Sequence, residues 1–269
     1  MLPEDRVTVV IERFIAACQA DQRVIAAFLG GSYARGVADE HSDLDFGLIA
    51  TDQAYEEFAV GLEDFVRQLG EPLFLESFDL PDNVFCIFAD GTEAEFMLGS
   101  ESRFAHIHNG PYRTLVDKVG LLTGAVFPPD QAVPAEQVER LRRLIYWFWH
   151  DLSHFITAMG RRQLWWAYGQ LEMLRRYCVS LARLRYDFQA SFDLDEPCYK
   201  IERAVPIEQL APIQDTFCPM EFDAILQAGQ KIVNYYQELA TDLAQRQGVT
   251  YPVGLQRIMF DRLVELSKR

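Results

Sequence analysis

VIAAFLGGSYARGVADEHSDLDFGLIA, residues 24–50, carries the reading from which the rest of the chain can be laid out. Val24 to Leu29 is an apolar run that predicts a buried strand, and Gly30-Gly31-Ser32 breaks it. A polar segment follows, with a helix expected to start near Ser32, and Asp43-Leu44-Asp45 then enters a second apolar run that predicts a strand over 44–50. Alternate residues of a strand share a face, so Asp43 and Asp45 project to one side with Leu44 buried behind them. Two carboxylates on one face repel, and they stay ionised together most readily with a divalent cation between them. Hard oxygen ligands of this kind suit Mg²⁺, which typically takes one or two carboxylates together with substrate phosphate oxygens. The glycines before Ser32 permit close approach of the backbone, and a turn opening into a helix points its N–H groups at an anion. Phosphate cradle and metal carboxylates on adjacent elements are the equipment of phosphoryl or nucleotidyl transfer.

Gly31-Ser32, ten intervening residues and Asp43-Leu44-Asp45 resemble the signature of the polymerase-β-type nucleotidyltransferase superfamily. Within it, Gly31-Ser32-Tyr33-Ala34-Arg35-Gly36 and Ser42-Asp43-Leu44-Asp45-Phe46 are similar to the small-molecule branch, which includes the nucleotidyltransferases of aminoglycoside and lincosamide antibiotics. The resemblance implies a mixed sheet with flanking helices, Mg²⁺ on Asp43 and Asp45, and an NTP, ATP foremost, as co-substrate. Gly31, Ser32, Arg35 and Ser42 are then the expected nucleotide-binding residues.

Outward from this stretch, Val7, Val10, Ile11, Phe14, Ile15 and Cys18 form the apolar stripe of a helix over 4–20. After the second strand, Thr51-Asp52 is expected to cap a single helix with Tyr55, Phe58, Leu62, Phe65, Val66 and Leu69 on its inner face, ended by Gly70 and Pro72. Strand-like runs follow at 73–78, 83–89 and 93–98, the last two joined by Asp90-Gly91, a strong hairpin dipeptide. Period two sets Glu93, Glu95 and Met97 on one face and Ala94, Phe96 and Leu98 on the other. The superfamily carries a third acidic residue on such a strand, usually aspartate, and Glu95 falls at that place. It is expected to complete the metal site or to act as general base on the acceptor hydroxyl; the alternative is two solvent-facing glutamates on an edge strand. Residues 112–118 predict another short strand, whose Lys118 is read, from a similar Asp-Lys phrase in the antibiotic-modifying families, as sitting over the triphosphate; the alternative is a solvated lysine at a strand end. Phe127-Pro128-Pro129-Asp130 is the expected linker. The domains are therefore expected at 1–128, a nucleotidyltransferase domain, and 129–269, a helical acceptor-side domain.

From about 134 the chain reads as a helical bundle. One stripe runs from Val138 to Met159 and a second from Leu164 to Leu184; an irregular, proline-containing stretch at 192–220 separates them from two closing helices. The resemblance implies that such a bundle forms a wall of the acceptor cleft. Glu172 (as an acceptor contact, an auxiliary base or simply an ion-pair partner of Arg175 or Arg176), Trp166 and Tyr168 are its candidate acceptor-side residues. One of Trp165 and Trp166 is expected in the core. His150 and His154 share a helix face at a spacing that can bind metal. With no third ligand evident in the sequence, the pair is read as packing or stacking against Trp147 or Trp149.

A net charge of -15 over 269 residues argues against a broad nucleic-acid surface, which needs basic patches, and suits a cationic small acceptor. Five scattered cysteines without paired spacing read as reduced thiols rather than a disulfide frame or zinc site. The opening Leu2-Pro3-Glu4-Asp5 is no signal peptide, and no apolar run approaches the ~18 residues of a membrane span. The expectation is a cytoplasmic, membrane-free protein, monomeric or homodimeric, that transfers a nucleoside monophosphate from NTP to a hydroxyl of a small, antibiotic-like acceptor and releases pyrophosphate. Two other classes fit the same residues: a nucleotide-binding regulatory or antitoxin module, and an enzyme that nucleotidylates proteins. The intact acidic pair speaks against a catalytically dead domain.

Overall fold

The computed structural model describes residues 3–128 and 133–268. It divides into two compact units, Met1–Asp130 and Gln131–Arg269. Pro129 and Asp130 of the expected linker lie outside the described residues.

In the first unit the elements are α1 (Pro3–Ala20), β1 (Val24–Leu29), α2 (Gly31–Arg35), β2 (Leu44–Ala50), α3 (Tyr55–Val60), α4 (Leu62–Arg67), β3 (Pro72–Glu76), β4 (Asn83–Phe88), β5 (Glu93–Ser100) and β6 (Arg113–Asp117). The six strands form one mixed sheet in the order β3-β4-β5-β2-β1-β6. Strands β2 and β5 run parallel, and every other neighbouring pair is antiparallel. Strand β5 is thus interior, which removes the edge-strand reading of its two glutamates.

One face of the sheet is covered by helices. Phe14 of α1 is fully buried and stacks on Phe46 of β2 at a centroid distance of 4.0 Å, with Phe65 of α4 edge-on to it. Removing a buried phenyl ring of this kind costs about 3–5 kcal/mol. On the other face Phe28, Tyr112 and Phe127 make a smaller cluster. Alternation within β2 and β5 assigns Leu44, Phe46, Ala94 and Phe96 to the helix-covered core and turns Asp45 and Glu95 to the opposite face.

The single helix expected after Thr51 is two helices broken at Gly61, whose φ of -96 and ψ of 8 leave the helical region. A glycine inside a helix costs about 1 kcal/mol relative to alanine, and the break still buries Phe58, Leu62, Phe65 and Val66. Thr51 Oγ1 accepts from the Ala54 N–H at 3.2 Å, whereas Asp52 accepts from the backbone N–H and hydroxyl of Ser102.

The second unit is helical: α5 (Pro134–Gly160), α6 (Leu164–Tyr186), α7 (Ile201–Ala204), α8 (Ile207–Gln214), α9 (Phe222–Gln247) and α10 (Val253–Leu266). Helix α6 packs against α5 and α9, and α10 against α5. At its centre Phe148 stacks on Tyr236 at 3.5 Å, and the Tyr236 hydroxyl donates to the Ile145 carbonyl at 2.9 Å. The stretch read as irregular contains α7 and α8, the latter ending two residues after Pro212. Neither Trp165 nor Trp166 is core; they are 82% and 37% exposed. Among the described residues no helix is long and apolar enough to cross a membrane.

Candidate active site

The site is built where β1 ends and β2 and β5 begin. Antiparallel pairing of β1 with β2 brings the turn after Leu29 back beside Asp45, and the Gly30 N–H donates to the Asp45 carbonyl at 2.8 Å. Parallel pairing of β2 with β5 then sets Asp45 in register with Glu95. Two acids fifty residues apart thereby stand side by side on one face, at the spacing of neighbouring strands, ~4.8 Å. Asp43 precedes β2 by one residue, and like Asp45 and Glu95 it is half-buried.

Gly31 opens α2 in the left-handed region, at φ +55. A Cβ there would fall 1.6 Å from Asp45 Oδ2, so the carboxylate occupies the space a side chain would need. Next to it the Ser32 hydroxyl oxygen is buried and has no hydrogen-bond partner among the described residues. A buried hydroxyl left unpaired costs on the order of 1–3 kcal/mol, so a ligand oxygen or a water that reaches it is favoured. Gly30, the N-cap of α2, supplies no side-chain cap, and α2 closes on Gly36 in the left-handed conformation.

Ser42 turns inward to its own loop. Its hydroxyl accepts from the Asp39 N–H at 2.9 Å and donates to Asp39 Oδ1 at 3.1 Å, which fixes the backbone that leads into Asp43. Arg35 is exposed on the last turn of α2. A cleft of about 700 Å³ lies alongside, lined by Tyr33, Asp39, Ser42, Asp43 and Glu93 among others. Gly31, Ser32, Asp45 and Glu95 are not on its lining.

Lys118 does not join these residues. Strand β6 runs antiparallel to β1, with Arg113 opposite Leu29 and Asp117 opposite Ala26, so Lys118 lies at the far end of β1. Its ammonium donates to the Asp21 carbonyl at 2.7 Å. Strand direction thus sets Lys118 apart from the glycine turn and the acids.

Two further side chains at the site have no motif to announce them. Asn83 opens β4 opposite Met97, and its amide donates to Glu95 Oε1 at 2.8 Å. A two-residue Asp90-Gly91 turn would pair Cys86 with Glu95; the observed register, one residue away, pairs Phe85 with Glu95 and brings Asn83 within reach. His108 abuts the glycine turn: a Cβ on Gly30 would fall 2.8 Å from its Cε1. Its Nε2 lies 2.9 Å from the Pro111 carbonyl, and local spacing gives no signal for it.

Hard carboxylate oxygens, an unpaired buried hydroxyl and a backbone without a side chain fit Mg²⁺ and a phosphate chain. The three acids stand wider than a closed ligand set. Among the described residues, the group of His, Cys, Asp or Glu with three ligand atoms within 4.8 Å of one another lies in the helical unit, at His150, Asp151 and His154.

In the helical unit, Glu172 Oε2 accepts from Arg175 at 2.9 Å. That guanidinium is buried and also binds the Thr216 hydroxyl and carbonyl. The Tyr168 hydroxyl donates to the Cys218 carbonyl at 3.3 Å. The His154 ring lies 5.9 Å from Trp166, not against Trp147 or Trp149. Trp147 is instead covered by Arg143, and Trp149 packs on Tyr236. Burial, and then the neighbouring Asp151, push the Tyr177 phenol up and keep it a proton donor.

The streptomycin adenylyltransferase family model matches residues 6–263 of the chain. Among solved structures, an aminoglycoside 6-adenyltransferase from Bacillus subtilis aligns over 96% of this chain and 97% of its own, at 10% identity and a TM-score of 0.47. No curated protein matches the chain significantly.

Proposed function

Because this chain belongs to the streptomycin adenylyltransferase family, we propose that it transfers the adenylyl group of ATP to a hydroxyl of an aminoglycoside-like antibiotic, with Mg²⁺ required and pyrophosphate released. The observation that carries the reading is the register of Asp45 with Glu95 on adjacent parallel strands, beside the Gly31-Ser32 turn.

Asp43 and Asp45 would hold Mg²⁺, which, when bound, neutralises charge on the triphosphate and the departing pyrophosphate. The Ser32 hydroxyl donates to a phosphate oxygen and so gains the partner it lacks among the described residues. Gly31 lets the phosphate approach the backbone, and Arg35 offers a positive charge from solvent. Ser42 acts through Asp39, holding the loop that presents Asp43. Glu95 takes the acceptor hydroxyl proton or joins the metal ligands, with the Asn83 amide fixing its orientation. Lys118 has no part in this scheme. Of the acceptor-side candidates, Trp166 keeps an exposed ring, whereas Glu172 and Tyr168 are engaged by Arg175 and Cys218. A net charge of -15 favours a cationic acceptor. Five free cysteines support a reducing, cytoplasmic setting.

The test is a pyrophosphate-release screen with Mg²⁺, ATP and a panel of aminoglycosides and lincosamides, read by product mass, on the wild type and Asp45→Asn. The expected product is an acceptor heavier by one adenylyl group, formed by the wild type alone, while both proteins fold. Undiminished Mg·ATP binding and transfer by Asp45→Asn would overturn the metal assignment.

A further inference from the structure

Helix α5 carries a second set of metal-ligating side chains that the proposed reaction does not use. One ligand atom from each of His150, Asp151 and His154 lies within 4.8 Å of the other two. The i, i+4 spacing stacks both imidazoles on one helix face, with centroids 4.5 Å apart. Asp151 follows directly, its Oδ1 lying 2.7 Å from His150 Nδ1. Its other oxygen is held from the neighbouring helix, where the Tyr177 hydroxyl of α6 donates to Asp151 Oδ2 at 2.7 Å. Ligating groups in metal sites are characteristically oriented by outer hydrogen bonds of this kind. His150 is exposed while Asp151 and His154 are half-buried, so an ion can enter from solvent and find a partly formed set of donors.

We propose that His150, Asp151 and His154 bind a borderline transition-metal ion of the Zn²⁺, Co²⁺ or Ni²⁺ class, at a site distinct from the Mg²⁺ carboxylates of the sheet. Two imidazole nitrogens and one carboxylate oxygen favour these ions over Mg²⁺ or Ca²⁺, which prefer oxygen alone. Three protein ligands leave a coordination position for water or an added ligand. Metal–ligand distances of about 2.0–2.2 Å require the three groups to draw closer than they stand, which side-chain rotation supplies, because His150 is 66% exposed. The bound ion would tie α5 to α6 through Asp151 and Tyr177.

The experiment uses the full chain, stripped with chelator and held in excess Mg²⁺ to occupy the sheet carboxylates. Zn²⁺ is titrated calorimetrically, and Co²⁺ is followed by absorption and by quenching of tryptophan emission, since Trp166 lies 5.9 Å from His154. One equivalent should bind. Tyr177→Phe should weaken binding on the order of 10–100-fold, and His150→Ala or His154→Ala more than that, with Co²⁺ quenching lost. Circular dichroism should report wild-type folding for His150→Ala. The double variant Asp43→Asn/Asp45→Asn should bind Zn²⁺ as the wild type does, which separates this site from the proposed catalytic one. Zn²⁺ affinity unchanged in both histidine variants, as would follow from binding at the exposed Cys198, overturns the proposal. So does loss of binding in the double aspartate variant, or no binding at one equivalent.

Discussion

Replacing Gly31 by alanine tests whether the carboxylate beside the glycine turn is where the chemistry happens. Two costs are involved, and the fold offers a control for one of them. Gly31 and Gly36 both sit in the left-handed region, at φ +55 and +69, where an L side chain costs about 1–2 kcal/mol. A Cβ on Gly36 meets nothing within 4 Å, so Gly36→Ala reports that strain alone. A Cβ on Gly31 would fall 1.6 Å from Asp45 Oδ2 and 2.5 Å from its Cγ. Asp45 must retreat by roughly 2 Å to restore ordinary contact, and a 1 Å misplacement at a reacting centre can cost ~100-fold. Gly36→Ala should therefore lower the melting temperature by a few degrees, taking about 2–4 °C per kcal/mol, and leave turnover nearly intact. Gly31→Ala should lose at least ~100-fold in pyrophosphate release with Mg·ATP and an accepted aminoglycoside. A double-mutant cycle sharpens the reading: in an Asp45→Ala background, the stability cost of Gly31→Ala should shrink toward that of Gly36→Ala. Equal activity of Gly31→Ala and Gly36→Ala would refute the argument, because displacing Asp45 would then have no consequence for the reaction.

Ser32→Ala removes a hydroxyl that is unpaired among the described residues, so stability should hold or rise slightly while ATP affinity falls by about 1.5–3 kcal/mol; calorimetry showing unchanged affinity would remove its phosphate role. Glu95→Gln keeps an oxygen for metal but cannot take a proton. If Glu95 is the base, Mg·ATP affinity should persist while turnover drops on the order of 10²–10⁴-fold, whereas a joint fall of affinity and rate that added Mg²⁺ partly restores identifies a ligand. The Asp21 carboxyl is held below the usual carboxylate range, first by its hydrogen bonds from the Arg23 side chain, which reach 2.6 Å. Its folded pKa lies below its unfolded one, so its stabilisation is full above the unfolded value and disappears as pH falls through the folded value. Urea midpoints of wild type and Asp21→Asn should accordingly differ at neutral pH and converge in acid; a constant gap would show that the charge is not responsible.

Local pattern was enough to assign the acidic pair, the glycine turn, the strand limits 24–29 and 44–50, and the two-part architecture. Each of these rests on neighbours in sequence: an apolar run sets a strand, alternation sets which face Asp45 takes, and period 3.6 sets the stripes of α1, α5 and α6. The same local information assigned Glu95 to a face but could not say which strand lay beside it. Only the sheet order, with β5 joined in parallel to β2, brings Glu95 next to Asp45. Strand direction likewise set Lys118 at the end of β1 away from the glycine turn, which its own local motif could not show. Trp166, Asn83 and the Asp151–Tyr177 link depend on contacts between elements far apart in the chain. Sequence by itself determined the strands β1 and β2 and the apolar stripes of the long helices, because those follow from backbone periodicity and residue type. Tertiary structure alone decided which chemistries meet, because the register between distant segments is set by the packing of the whole sheet and bundle rather than by any one stretch of residues.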